Sequence, residues 1–161
     1  MRCNFLAGLC DRIVHVSCLL PPDSYRDAYY LLPVACCLLL FSCSPKDTKL
    51  QQYKVQGEEL YLKHCSNCHQ ASGKGLGLLF PPLDISDFVD ANRKEVICLI
   101  ENGMEGEITV NGKSFNKAMP AIPQLTDLEI AEITTYLYNS WGRNEGIIDV
   151  NEVTSTLSNC R

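Results

Sequence analysis

Apolar residues recur every three or four positions in three stretches of the chain, which is the spacing of amphipathic helices. The predicted helices begin near Lys54, span residues 93–102 and run from residue 126 to residue 141. Thr126 and Glu129 form the pattern of a capping box, which satisfies backbone N–H groups at the start of a helix. Gly103 and Gly142 follow the second and third helices, where a glycine commonly ends a helix.

The segments between these helices are rich in turn-forming residues. Residues 65–83 contain several glycines and a pair of prolines, so we expect a loop there. Asn111 and Gly112 are the strongest short hairpin signal and predict a short hairpin or loop at residues 107–117. The predicted fold class is therefore all-α, with three to five helices. A domain with this much loop buries a limited core, which a large prosthetic group would complete.

The first 43 residues differ from the rest of the chain. Residues 31–41 are an uncharged apolar run, too short for the roughly 20 residues that span a bilayer but of the length of a signal-peptide hydrophobic region. The sequence Leu-Phe-Ser-Cys that follows resembles a bacterial lipoprotein box, in which Cys43 would receive lipid. A cleaved signal peptide or a buried apolar segment is the alternative. The predicted organisation is a signal-bearing extension at residues 1–43, a polar tether at 44–53, a domain at 54–142 and a polar tail at 143–161.

Charge and cysteine content exclude some classes of protein. The 161 residues include 14 Lys and Arg and 19 Asp and Glu, and the resulting net charge of −5 with no basic stripe argues against nucleic-acid binding. Six of the ten cysteines lie in the first 43 residues at irregular spacing, which does not indicate a disulfide framework. Cys98 lies at an apolar helix position, so we expect a buried small hydrophobe there, in preference to a disulfide with Cys160.

Residues 65–69 are Cys-Ser-Asn-Cys-His, the attachment signature of a c-type haem. Two thiols three positions apart can reach the two vinyl groups on one edge of the porphyrin, and His69 is then placed to bind the iron. A thioredoxin-like thiol pair would need a preceding strand, and a zinc site would need further ligands at regular spacing. We therefore predict Cys65 and Cys68 as attachment sites and His69 as an iron ligand.

A second iron ligand is sought among the methionines of the domain. Met119 precedes a proline on the loop between the predicted hairpin and the last helix, whereas Met104 lies at a helix end. Methionine often fills gaps in a core, but a thioether on a histidine-ligated iron raises its potential. We favour Met119 as the ligand over Met104.

Two further features fit such a site. The proline-stiffened loop at residues 80–83 can supply a carbonyl that accepts the second N–H of a haem-binding histidine, although an ordinary turn is an alternative. Gly57 and Tyr61 share one helix face, and the glycine lets another helix approach closely. Ile133 and Tyr136 offer the matching face in the last helix.

Together these residues resemble the class I cytochrome c family over about residues 54–142. The family implies an all-α domain around one covalent haem c, with one haem edge exposed. The resemblance rests on Gly57-x-x-x-Tyr61, Cys65-x-x-Cys68-His69, Pro81-x-Leu83, Met119-Pro120 and the helix containing Tyr136.

The resemblance also implies roles for single residues. The two cysteines of the motif form thioethers, His69 is the proximal iron ligand and Met119 the distal one. Pro81 would supply the carbonyl that accepts from His69, and Leu83 would pack on the haem. Residues 143–161 have no counterpart in the family that we can place.

Residues 106–112 and 116–120, with Trp141 and Gly142, are similar to bacterial cytochromes of the oxidase-subunit-III or dehydrogenase-associated type. This implies a protein that carries one electron between redox partners such as a terminal oxidase, a nitrite reductase or a quinoprotein dehydrogenase. Together with the lipoprotein-type signal, it leads us to expect a periplasmic protein that reaches the membrane through a lipid anchor. We expect an electron carrier and not an enzyme. The alternatives are a peroxidase-like haem enzyme or sensor with a labile distal ligand, and a haem-free thiol oxidoreductase.

Overall fold

The computed structural model describes the backbone of residues 45–160 and the side chains from residue 48. The predicted lipid site Cys43 and the apolar run at 31–41 lie outside these residues. The elements in chain order are α1 (Pro45–His64), α2 (Ser66–His69), α3 (Asp87–Ala91), α4 (Arg93–Asn102), β1 (Ile108–Val110), β2 (Lys113–Phe115), α5 (Asp127–Leu137) and α6 (Val150–Leu157). The predicted all-α class with one short hairpin is confirmed. None of the helices between residues 45 and 160 is long and apolar enough to cross a membrane.

The prediction of a tether at residues 44–53 is wrong for the described residues, because α1 begins at Pro45. A proline is favourable at the first position of a helix, where its missing N–H has no partner to lose. Tyr53 is buried and lies four residues before Gly57, on the same face of the helix. The first turns of α1 also contact the C-terminal residues, since the Lys49 Nζ is 3.7 Å from the carboxylate of Asp149.

The hairpin forms where Asn111 and Gly112 predict it. Both residues have positive φ, 51° and 71°, as a tight two-residue turn requires. β1 and β2 pair antiparallel, with Ile108 opposite Phe115. The turn is held against the start of α3, because the backbone N–H of Asn111 donates to the Asp87 carboxylate at 2.7 Å and its side-chain oxygen accepts from the Asp87 N–H at 3.0 Å.

Two short helices were not predicted. α2 is a single turn inside the predicted loop at 65–83. α3 is five residues long and is capped by Ser86, whose side chain accepts from the Val89 N–H. Elements of four or five residues are too short to show helical periodicity in a sequence, so only their caps could have indicated them.

The capping box of α5 is confirmed, but the helix ends at Leu137 and not at Trp141. Trp141 has a φ of 52°, outside the helical region. Its ring packs edge-on against Tyr61 and Tyr136, with centroids 5.6 and 5.7 Å away. Gly73 makes room for it, since a Cβ there would lie 2.7 Å from the indole. This aromatic packing favours the turn that ends α5.

The predicted matching faces of the first and last helices are confirmed. A Cβ added at Gly57 would lie 2.0 Å from the Glu132 carbonyl oxygen, so only glycine fits where α1 crosses α5. The rings of Tyr61 and Tyr136 pack at a tilt of 41° with centroids 5.3 Å apart, and Ile133 is fully buried.

Two predictions for the C-terminal residues are wrong. The polar tail contains α6, which Asp149 caps and which buries Val153 and Thr156. Cys98 is not a free buried hydrophobe, since it forms a disulfide with Cys160, with Cα atoms 5.7 Å apart. The apolar positions of α6 cover little more than two turns, which is too short for a clear periodic signal. A cysteine pair 62 residues apart cannot be paired from sequence.

Candidate functional site

An apolar cavity that is partly open to solvent lies in the domain. The structure brings the domain's predicted site residues together in its wall. They are Cys65, Cys68, His69, Pro81, Leu83 and Met119.

The first part of the wall is α2 with the residue before it. The Cys65 N–H donates to the Tyr61 carbonyl at 2.8 Å, and the His69 N–H donates to the Cys65 carbonyl at 2.9 Å. This turn of helix brings Cys65, Cys68 and His69 to the cavity. Both cysteines are half-buried and are not joined by a disulfide.

The environment of Cys65 disfavours its thiolate. Burial, and then the neighbouring Cys68, raise the pKa of the Cys65 thiol to about 12. Thiol–disulfide oxidoreductases depend on a thiolate with a lowered pKa. The Cys65 environment therefore argues against a thiol oxidoreductase.

His69 presents one ring nitrogen for coordination. Its Nδ1 lies 2.9 Å from the Pro81 carbonyl oxygen. A carbonyl can only accept, so the proton is on Nδ1 and the lone pair is on Nε2. Burial lowers the pKa of His69, and the hydrogen bond to Pro81 opposes that effect only in part. At neutral pH the imidazole is thus neutral, and its Nε2 can bind a metal ion.

The loop that carries Pro81 is held close to α2. The Leu83 N–H donates to the Gly73 carbonyl at 2.6 Å, and the Gly75 N–H donates to the His69 carbonyl at 3.0 Å. A Cβ at Gly75 would lie 2.3 Å from the Phe80 carbonyl oxygen, and its φ of 67° also favours glycine. The loop therefore packs against the residue that it supports.

The two methionines of the described chain are neighbours at the cavity. Met104 and Met119 exchange two backbone hydrogen bonds of 2.9 Å and both contribute to the wall. Gly103 permits this approach, because a Cβ there would lie 2.5 Å from the Met119 carbonyl oxygen. The sequence presents Met104 and Met119 as alternative iron ligands, and it does not predict that their backbones pair.

Most of the remaining wall was also not predicted. It is formed by apolar side chains of α3, α4 and the hairpin, and one lysine lies at its edge. These residues include Phe88, Val89, Val96, Ile108, Val110, Phe115 and Lys117. The inward alternation of Ile108 and Val110 on β1 is the one local signal that could have indicated them.

The donor set fits a c-type haem. Two unpaired thiols, one histidine with a free Nε2 and two thioethers converge on a largely apolar cavity. A porphyrin requires an apolar pocket, and its iron takes imidazole and thioether ligands.

Comparison with known proteins leads to the same family. Residues 54–137 match the protein-family model described as cytochrome c oxidase, cbb3-type, subunit III. The chain is 31% identical over 93 residues to cytochrome c-552 of Thermus thermophilus, covering 55% of this chain and 70% of that protein. It is 28% identical over 89 residues to the cytochrome c subunit of the quinone-dependent alcohol dehydrogenase of Gluconobacter oxydans, and this match covers 55% of this chain and 19% of that subunit. A second such subunit, from Gluconacetobacter polyoxogenes, is 30% identical over 104 residues, and the match covers 62% of this chain and 22% of that subunit.

The chain thus spans about a fifth of the dehydrogenase subunits but most of the small cytochrome. The family model covers just over half of the chain, including α2, the Pro81 loop, the hairpin and α5. From this match, and from the cavity that gathers the motif residues, the chain belongs to the class I cytochrome c family, as an electron carrier with a covalent c-type haem and not an enzyme.

Proposed function

We propose that the protein carries one electron between respiratory redox partners on a haem whose iron is bound by His69 and Met119. Cys65 and Cys68 would form the thioethers. The observation that carries the proposal is the 2.9 Å contact of His69 Nδ1 with the Pro81 carbonyl, beside two unpaired cysteines of one helical turn. When bound, the haem supplies an iron that is reversibly oxidised by one electron.

The residues of the chain would tune that iron in three ways. The Pro81 carbonyl fixes the tautomer of His69 and raises the basicity of its Nε2. The apolar wall of α4 and the hairpin limits water at the cofactor, and the Met119 thioether raises the potential. If His69 and Met119 both hold the iron, no position on it would remain for a substrate.

An absorption spectrum of the purified holoprotein tests this proposal. Low-spin bands with a weak sulfur-to-iron charge-transfer band in the ferric state are expected. A high-spin spectrum would instead indicate a haem enzyme or sensor with a labile distal ligand, and absence of covalent haem would indicate a thiol protein.

We further propose that the protein acts in the periplasm, with a terminal oxidase, a nitrite reductase or a quinoprotein dehydrogenase as partner. The relatives that are subunits of an alcohol dehydrogenase support the last of these. Leu76, Leu78 and Leu79 expose 51%, 70% and 48% of their surface on the loop before Phe80, and this apolar surface suits a weak, short-lived contact. The test measures reduction of the ferric protein by the dehydrogenase and oxidation of the ferrous protein by the oxidase or the nitrite reductase. We expect faster electron transfer with one of these partner classes than with the others, and loss of that transfer in Leu78→Asp.

We propose that Cys43 is the mature N-terminus and carries lipid. The support is the apolar run at 31–41 that ends in Leu-Phe-Ser-Cys. Two or three acyl chains give stable anchoring, where one alone is marginal. Mass spectrometry of the protein from membranes should find an acylated chain beginning at residue 43, and an intact N-terminus upstream of it would contradict the proposal.

A further inference from the structure

The segment 81–83, which carries the Pro81 carbonyl, has few backbone hydrogen-bond donors. Pro81 and Pro82 have no N–H, so the segment 81–83 has a single backbone donor, on Leu83, which reaches the Gly73 carbonyl at 2.6 Å. The fixed φ of Pro82 couples the position of the Pro81 carbonyl to that of Leu83. Groups that bind Leu83 therefore help to set the distance between the Pro81 carbonyl and His69.

Arg143 is such a group. Its Nη1 donates to the Leu83 carbonyl at 2.9 Å, and its Nε donates to the Asp90 carboxylate at 2.6 Å. Its side chain is only 10% exposed, whereas that of Asp90 is 57% exposed. One guanidinium, on a residue shortly after α5, thus contacts both the loop that carries Pro81 and α3.

The ion pair with Asp90 does not by itself explain this burial. Taking a guanidinium out of water is costly, and a carboxylate that remains exposed compensates only part of the cost. The Nη2 atom of Arg143 is also buried without a hydrogen-bond partner within the described part of the chain. A lysine that stayed in water could pair with Asp90 without the cost of burying a charged group. The planar fork of arginine is required only to reach Asp90 and the Leu83 carbonyl at once.

We propose that Arg143 is a positioning residue for the proximal histidine. By holding the Leu83 carbonyl, it keeps the Pro81 carbonyl on the Nδ1–H of His69 and so sets the basicity of the iron-binding nitrogen. The inference rests on the proposed role of His69. It also gives a function to the C-terminal extension (residues 143–160), which lies beyond the family match that ends at residue 137. The extension is secured by α6 and by the Cys98–Cys160 disulfide.

The test compares Arg143→Lys with Asp90→Asn in the ferrous holoprotein. Lysine keeps the charge but lacks the planar fork whose separate nitrogens reach Asp90 and Leu83, whereas Asp90→Asn removes the ion pair and leaves the Leu83 contact. NMR measures hydrogen exchange of the His69 Nδ1–H, and a redox titration measures the potential. We expect exchange to become about tenfold faster in Arg143→Lys, the effect of weakening one hydrogen bond to a buried donor. Exchange in Asp90→Asn should stay near the wild-type rate.

The potential of Arg143→Lys should also shift to more positive values, because a less basic histidine stabilises the ferric iron less. Arg143→Gln is a second variant in which the same faster exchange is expected. Unchanged exchange and potential in Arg143→Lys would overturn the inference. Equal acceleration in Asp90→Asn would overturn it too, since the ion pair would then account for the effect. A wild-type spectrum without histidine-ligated covalent haem would instead defeat the proposed function.

Discussion

The hydrogen bond between His69 and Pro81 decides which imidazole nitrogen is free. Because the Pro81 carbonyl accepts from Nδ1–H, Nε2 is left as the donor to a metal. Burial lowers the pKa of His69, so protons compete little for that nitrogen at neutral pH. A single backbone carbonyl thus prepares the residue for coordination.

Met119 and Met104 can be separated by substitution at the residue scale. Their contact in the described structure is through the backbone, so alanine at either position keeps the pairing and removes only the thioether. Met119→Ala should keep the covalent haem, lose the weak sulfur-to-iron band and lower the potential. Met104→Ala is the control and should keep the band. The reverse result would show that Met104 is the ligand.

At the scale of elements, the crossing of α1 and α5 depends on one missing side chain. Gly57→Ala places a Cβ 2.0 Å from the Glu132 carbonyl oxygen, so a helix must move. We expect the free energy of unfolding to fall by about 1–3 kcal/mol, as for other overpacked sites. Gln56→Ala, at an exposed position one residue earlier, is the control and should change stability by less than about 0.5 kcal/mol. Equal stability of the two variants in thermal unfolding would contradict the close crossing.

The capping box of α5 predicts a pH dependence. The backbone N–H of Thr126, and then its hydroxyl, donate to the Glu129 carboxylate and lower its pKa below 4.5. A carboxylate with a lowered folded-state pKa stabilises the protein above its unfolded pKa, and this stabilisation is lost as pH falls through the folded value. Glu129→Ala should therefore lower the melting temperature at neutral pH but have little effect once the pH is well below 4.5.

Glu95→Ala is the matched control for that experiment. Glu95 occupies the same third position in α4, where the cap residue Asn92 makes no side-chain hydrogen bond to the helix start. Its removal should change the melting temperature less than that of Glu129 does. An effect of Glu129→Ala that stays constant with pH would show that the carboxylate is not the stabilising group.

At the scale of the whole described unit, the C-terminal extension is fastened back onto α4. The Cys98–Cys160 disulfide closes a loop of 62 residues that includes both methionines of the cavity. Chain-entropy estimates for a loop of this length give about 4 kcal/mol. We expect Cys98→Ser with Cys160→Ser to lower the free energy of unfolding by roughly 2–4 kcal/mol. A thiol reductant should destabilise the wild type and leave this variant unchanged, and equal sensitivity of both would contradict the disulfide.

The apolar cavity predicts that haem attachment is required for folding. It is lined by side chains of α2–α5 and the hairpin, and without a cofactor these side chains lose packing partners. Cys65→Ser with Cys68→Ser should give a largely unfolded, protease-sensitive product. The disulfide double variant also has two cysteines changed to serine, and it should retain haem and structure. A cooperative thermal transition in the haem-free variant would contradict the prediction.

The features that the sequence determined by itself are local. The Cys-Ser-Asn-Cys-His motif, the Thr126–Glu129 capping box and the Asn111–Gly112 turn each depend on residues a few positions apart. Their backbone geometry follows from short-range sterics and hydrogen bonds, so the pattern is sufficient. The family of the chain could be predicted from the same motifs.

The features that only the tertiary structure decided join residues that are distant in sequence. Arg143 reaches Leu83 across 60 positions, Cys98 reaches Cys160 across 62, and Met104 lies beside Met119. Nothing in the local sequence of either partner specifies the other, because such contacts depend on how the elements pack around the shared core. For the same reason the C-terminal residues resemble a polar tail in the sequence, although in the folded chain they hold the loop behind His69.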